Sequence, residues 1–186
     1  MSKLIVLIGP PGAGKSSFAA TLGGTVVSTD VIRKQLYGGE STVGCEQMAR
    51  KLLLEQQICT DELSEEALQA LKDALCVDHV FDVARETCCR LLNQGQTVIY
   101  DSTNFKRKYR QQLLEKTAGL YDRCDAYFLD VPLETCLVRN AARQRREPDQ
   151  VITEICAQLV PPSYDEGFDS IYRVDPSGHI DRIPNQ

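Results

Sequence analysis

Histidine is scarce in this chain, 2 in 186 residues, and none of the 8 cysteines forms a C-x-x-C pair. That leaves little from which to build a zinc or iron–sulfur site. An excess of cations is also missing. The formal net charge is -5, so any contact with nucleic acid has to come from a local basic patch. No apolar run has the length of a membrane span or a signal-peptide core. The run Leu4-Ile5-Val6-Leu7-Ile8 that follows Met1-Ser2-Lys3 is too short for either and reads as a buried parallel strand. Internal repeats and low-complexity tracts are absent, and no shift of composition marks a second domain.

What is present is ordinary for one soluble globular domain: 42% apolar and 25% charged residues in a length that can bury one core. Cys45, Cys59, Cys76, Cys88, Cys89, Cys124, Cys136 and Cys156 fall mostly in apolar or helical patterns. They read as reduced thiols, which points to the cytoplasm. Short apolar runs predict strands at about 3–8, 25–28, 97–101, 124–130 and 171–174. Helical patterns lie between them, at about 14–22, 30–39, 77–93, 105–118, 132–146 and 148–159. In the long one, Val80, Val83, Ala84, Thr87, Cys88 and Leu91 keep the helical period, and Gly95 stops it. Strand–helix alternation predicts an α/β fold with a mostly parallel sheet. Residues 40–76 carry helical pattern without a strand, over 47–58 and 65–75, and read as a helical insertion. Pro161-Pro162 ends the last helix.

The strongest pattern is Gly9-Pro10-Pro11-Gly12-Ala13-Gly14-Lys15-Ser16, a complete G-x-x-x-x-G-K-S phosphate-binding loop. It follows a strand and opens a helix, the context such a loop requires. Its glycines let backbone N–H groups turn inward around phosphate oxygens. Lys15 is suited to the β and γ phosphates of ATP, and Ser16 to Mg²⁺. Ser17 belongs to the same nucleotide-binding set.

Other candidates follow strands. Ser28-Thr29-Asp30-x-x-Arg33 places Asp30 at the carboxyl end of the second strand, where α/β sheets hold ligands. A carboxylate there can take the proton of an attacking hydroxyl, and Arg33, one turn on, can hold an anionic group. Asp30 can equally serve as a plain helix cap. Thr97-Val98-Ile99-Tyr100-Asp101 ends in an acid able to order a metal or its waters. Arg139 to Arg146 holds four arginines in eight residues. Arg139 and Arg143 are expected on one helical face, suited to phosphoryl charge, and Arg145 and Arg146 read as a solvated helix end. Lys106-Arg107-Lys108-Tyr109-Arg110 is a basic run that reads as a solvated face or as a contact to a polyanionic acceptor.

Together these residues resemble the polynucleotide 5′-hydroxyl kinase domains of bacterial RNA end-healing enzymes, within the broader zeta-toxin and AAA-type group of ATP-binding kinases. The resemblance covers almost the whole chain. Beyond the motifs above it includes Phe81-Asp82-Val83, Asp101-Ser102-Thr103-Asn104 (similar to a D-x-T-N signature), Arg139-Asn140-x-x-Arg143 and Glu166-Gly167-Phe168. It implies one P-loop kinase domain over 1–186, adenylate-kinase-like, with the insertion at 40–76 and a mobile lid at about 139–159. It implies ATP and Mg²⁺ as cofactors and a hydroxyl acceptor, a polynucleotide 5′ end. Asp30 would be the general base, Arg33 would hold the neighbouring phosphate, and Arg139 would clamp ATP. The same group holds small-molecule and antibiotic kinases. A nucleotide-dependent switch is a third reading, against which the Asp30/Arg33 pair stands.

Overall fold

Five apolar residues in a row, Leu4 to Ile8, are each at most 4% exposed. Such a strand can only be central and covered on both faces. It is β1 (Lys3–Ile8). The computed structural model describes residues 1–37, 53, 64–143 and 146–185. They form two compact units, Met1–Ser28 with Thr87–Gln186, and Thr29–Glu86.

The first unit is a six-stranded sheet with its helices. After β1 come α1 (Lys15–Ala19), β2 (Thr25–Ser28), β3 (Thr97–Asp101), α4 (Arg107–Lys116), β4 (Arg123–Leu129), α5 (Leu133–Ala141), α6 (Asp149–Gln158), a 3₁₀ turn (Tyr164–Glu166), β5 (Ser170–Val174) and β6 (Ile180–Ile183). The strand order is β2-β3-β1-β4-β5-β6. All neighbours are parallel except β5 and β6, which form an antiparallel hairpin. The first five strands lie within a residue of the positions that the apolar runs predict. β6 lies outside that expectation. Its residues Ile180-Asp181-Arg182-Ile183 are mostly exposed at the sheet edge, so no buried face marks them. The Asp175-Pro176-Ser177-Gly178 turn before them is the available signal: Asp175 accepts from the Ser177 N–H at 2.8 Å, and Gly178 sits at φ 90°.

One sheet face buries Ile5, Leu7 and Ile99 under Ala19 of α1. Further along that face, Leu129 and Val174 pack with Ala13, Val131, Cys136 and Ile152, which brings α5 and α6 over the strand ends. Burying each such aliphatic side chain is worth about 1.5–3 kcal/mol.

The second unit contains α2 (Thr29–Tyr37) and the start of α3 (Glu65–Asn93). Sequence periodicity places a helix boundary near 76, but α3 runs through it as one helix of 29 residues. No Gly or Pro lies between 64 and 94 to interrupt it. It ends as expected at Gly95, at φ 75°, with the Gly95 N–H on Leu92 and the Gln96 N–H on Leu91. These are the two bonds of a Schellman cap. The Tyr37 hydroxyl lies 2.9 Å from His79 Nδ1 and joins α2 to α3. The rest of the expected insertion, 40–63, lies outside the described residues except for Leu53, which is helical and buried.

Two further expectations change. α5 stops at Ala141 instead of reaching 146. Buried Asn140 explains this: its amide Nδ2 donates to the Glu147 carbonyl at 2.8 Å, and its Oδ1 accepts from the Glu147 N–H at 3.0 Å. The chain is folded back, so Arg143 lies beyond the helix and the expected shared helical face with Arg139 is not formed. The basic run also divides. Arg110 is fully buried and neither solvated nor available to an acceptor. Its Nε and Nη2 donate to the two oxygens of buried Glu166, each at 2.7 Å. Nη1 donates to the carbonyls of Asn104 and Val160 at 3.0 and 2.9 Å.

Removing one member of a buried, fully hydrogen-bonded pair costs about 3–5 kcal/mol, because the other charge is left stranded. Arg110→Ala is therefore expected to lower stability by that amount in urea unfolding, and a loss under about 1 kcal/mol would contradict it. Burial pushes the Cys88 thiol up to about 12 and Cys136 up to about 11, and raises Cys124 as well. Raised values leave almost no thiolate near neutrality. At pH 8 these three are expected to stay unreactive to a disulfide-exchange reagent in the native protein and to react in denaturant, checked by peptide mass analysis.

Candidate active site

The loop between β1 and α1 is shaped by two left-handed glycines, Gly12 at φ 83° and Gly14 at φ 97°. The loop is held from outside. The Gly9 N–H donates to the Thr103 carbonyl at 3.0 Å, which fastens it to the segment after β3. Gly12 lies so close to α5 that a Cβ there would stand 2.4 Å from the Cys136 carbonyl oxygen. Pro10 and Pro11 limit the backbone freedom between Gly9 and Gly12. Lys15, the first residue of α1, donates from Nζ to the Gly9 and Pro10 carbonyls, both at 2.9 Å. Ser16 and Ser17 follow, both exposed.

β3 runs beside β1, so its carboxyl end reaches this loop. Asp101, the last residue of β3, is buried, and its Oδ2 accepts from Ser16 Oγ at 2.8 Å. A hydroxyl and a carboxylate are hard oxygen donors, the type Mg²⁺ prefers. Among the described residues no group of three or more His, Cys, Asp or Glu could hold a metal by itself. Two such donors leave positions for nucleotide phosphates and water, the usual habit of Mg²⁺ sites. Asn104, in the left-handed region at φ 48°, donates from its buried Nδ2 to the Leu7 carbonyl at 2.7 Å. That bond locks the segment after Asp101 against β1.

Arg139 sits near the end of α5. Its Nη1 donates to the Ala13 carbonyl of the loop at 3.2 Å, and its Nη2 to the Pro176 carbonyl of the β5–β6 turn at 3.1 Å. A guanidinium thus stands beside the loop and Lys15. Arg143 is exposed and past the helix end. The Cys136 thiol donates to the Val131 carbonyl at 3.7 Å, and Cys156 packs against the cluster that holds Cys136 and Ala13 of the loop. Burial raises Cys136, and Lys15 and Arg139 oppose that rise weakly. Thr103 and Cys136 meet the loop, and Pro176 meets Arg139, in ways that the sequence does not announce. All three act through backbone carbonyls, which leave no mark on residue identity.

Asp30 and Arg33 belong to the second unit. They occupy the first turns of α2 and pair with each other, Nη1 to Oδ1, at 3.1 Å. The Asp30 side chain is 64% exposed, so the pair adds little stability, roughly 0–1 kcal/mol. Its acid suits the helix start.

The sequence matches the AAA domain family model over residues 4–161, and the chain belongs to that family. No curated protein matches the chain by sequence. A sugar kinase from a Janibacter species shares the fold with a TM-score of 0.59 at 19% identity, over 95% of this chain and 87% of that one. Kti12 from Chaetomium thermophilum, solved with ADP-AlF3, gives 0.58 at 14% identity, over 92% and 88%. A chain of the Pnkp1/Rnl/Hen1 RNA repair complex gives 0.56 at 21% identity, over 85% of this chain but 44% of that one. At such identities the likeness is one of fold: the α/β fold of P-loop kinases, a mostly parallel sheet flanked by helices.

Gly12→Ala tests the loop. The left-handed conformation alone costs an L-residue about 1–2 kcal/mol, and the Cys136 carbonyl adds a steric conflict. ATP affinity measured by calorimetry is expected to fall at least ~10-fold. Unchanged affinity would mean that the loop does not receive phosphates in this conformation.

Proposed function

We propose that this AAA-domain protein is an ATP-dependent phosphotransferase that moves the γ-phosphate to a hydroxyl acceptor, a polynucleotide 5′-hydroxyl end. The observation that carries the kinase reading is the Ser16–Asp101 hydrogen bond at the phosphate loop, with Lys15 and Arg139 beside it. Loop, hydroxyl, carboxylate and two cations are the parts that phosphoryl transfer requires. The acceptor reading is supported by the Asp30/Arg33 pair, by the D-x-T-N-like segment, and by the fold shared with the RNA repair complex chain.

In this reading Gly9 to Gly14 and Ser17 wrap the phosphates with backbone N–H groups. Ser16 and Asp101 would hold Mg²⁺, which when bound would offset phosphate charge. Lys15 leaves the Gly9 and Pro10 carbonyls for the β and γ phosphates. Arg139 leaves Ala13 and Pro176 to meet the γ-phosphoryl oxygens, and Arg143 joins it. Residues 139–159 act as the lid, within a single kinase domain. Asp30 accepts the proton of the acceptor hydroxyl as that oxygen bonds to the γ-phosphorus. The bond from the γ-phosphorus to the bridging oxygen breaks, and ADP leaves with the electron pair. Arg33 holds the phosphate that follows the acceptor sugar. Among the described residues no helix is long and apolar enough to cross a membrane. The free thiols support a reducing, cytoplasmic setting.

Transfer of radiolabel from γ-labelled ATP to a 5′-hydroxyl RNA or DNA oligonucleotide tests the reading, with gluconate and other sugars as parallel acceptors. Label is expected on the oligonucleotide. Asp30→Ala is expected to cut transfer at least ~100-fold, the low end of general-base catalysis, while ATP affinity holds within about twofold. Label on a sugar alone would move the acceptor to small molecules, and equal loss of transfer and ATP binding would remove Asp30 as the base.

A further inference from the structure

The basic run at the start of α4 is only partly explained by the buried Arg110. Its other members surround two aromatic rings that the chemistry above does not use. Phe105 and Tyr109 stand at i and i+4 with ring centroids 5.5 Å apart and planes at 60°. They meet at an angle and not face to face. Both are half-buried. Lys106 Nζ lies 5.3 Å from the Phe105 centroid. Lys108 is exposed, and Arg107 is tied to Asp165 at 2.7 Å.

The backbone beneath the rings is fixed on both sides. Asn104, one residue earlier, is bonded to Leu7 of β1, and its carbonyl receives Arg110. The Phe105 carbonyl accepts from the Val160 N–H at 2.8 Å. Two residues before Phe105, the Thr103 carbonyl holds Gly9 of the phosphate loop. The backbone that carries the rings is therefore a rigid ledge continuous with the loop, just past the carboxyl end of β3. Of the three successive cations Lys106 to Lys108, Arg107 is offset by Asp165, which leaves two lysines at this edge in a chain whose net charge is -5. This concentration favours a polyanion at this edge. Rigid aromatics among lysines are what a single strand of nucleic acid needs: π-faces for bases and ammonium groups for phosphates.

We propose that Phe105 and Tyr109, with Lys106 and Lys108, form a platform that binds the single-stranded nucleotides following the acceptor 5′ end. The inference rests on the polynucleotide reading and adds to it a length preference. Bases stack on the rings, and the lysines meet the intervening phosphates. An acceptor too short to reach the platform gains nothing from it.

The test compares transfer to a 5′-hydroxyl twelve-nucleotide single strand with transfer to a nucleoside 3′-monophosphate. The wild type is expected to favour the longer acceptor in kcat/KM. In Phe105→Ala/Tyr109→Ala that ratio is expected to fall at least ~10-fold through the KM of the oligonucleotide. Phe105→Leu/Tyr109→Leu keeps bulk and removes stacking, so it serves if the alanine variant does not fold, and Tyr109→Phe should retain the ratio. Lys106→Ala/Lys108→Ala should flatten the dependence of log affinity on log salt by about 0.7 for each lysine–phosphate pairing removed from a single strand. Oligonucleotide transfer with an unchanged ratio and salt slope would overturn the platform and leave the polynucleotide reading standing. Transfer to a sugar with none to any oligonucleotide would remove that reading, and the platform with it.

Discussion

One buried ion pair holds together the pieces from which the site is made. The side chains of Arg110 and Glu166 are both wholly removed from solvent, joined by two bonds of 2.7 Å. Two ions leave water only where geometry and extra hydrogen bonds compensate. Here the guanidinium also serves the carbonyls of Asn104 and Val160, and Glu166 accepts the Ser163 N–H at 3.0 Å. The pair thereby ties α4, the segment after β3 and the connector after α6 to one point. The segment after β3 in turn fastens the phosphate loop through Thr103.

The second constraint is steric. Gly12 lies against the backbone of α5 at Cys136, closer than any side chain would allow. The helix that carries Arg139 is thus seated on the phosphate loop itself, and the guanidinium has little distance to cover to Ala13. Asn140, next in sequence, folds the chain back to Glu147 and closes the corner between α5 and α6. Position, not charge alone, separates Arg139 from its neighbours: Arg143 and Arg146 are exposed.

Much of this was legible in the residues. The run Leu4 to Ile8 announced a buried parallel strand, and the glycine spacing before Lys15 announced the loop. Asp101 could be singled out because an acid closed an apolar run. What escaped had a common physical cause. β6 is a short edge strand with no buried face. The fate of Arg110 depends on a partner 56 residues away. The end of α5 is set by a side chain pairing with backbone seven residues on, a bond that no helical periodicity encodes.

By itself the sequence determined the local states: which stretches are strands, where the loop turns, and that a hydroxyl and an ammonium close that loop while a carboxylate closes a strand. These follow from steric demands of a few neighbouring residues, which glycines, β-branched runs and caps meet locally. Only the tertiary structure decided which cation stands at the loop and which is consumed inside. Arg139 reaches Ala13 across 126 positions and Pro176 across 37, whereas Arg110 is buried for good. Two arginines with the same charge and similar neighbours differ because burial must be matched by acceptors, and folding alone determines where those acceptors lie.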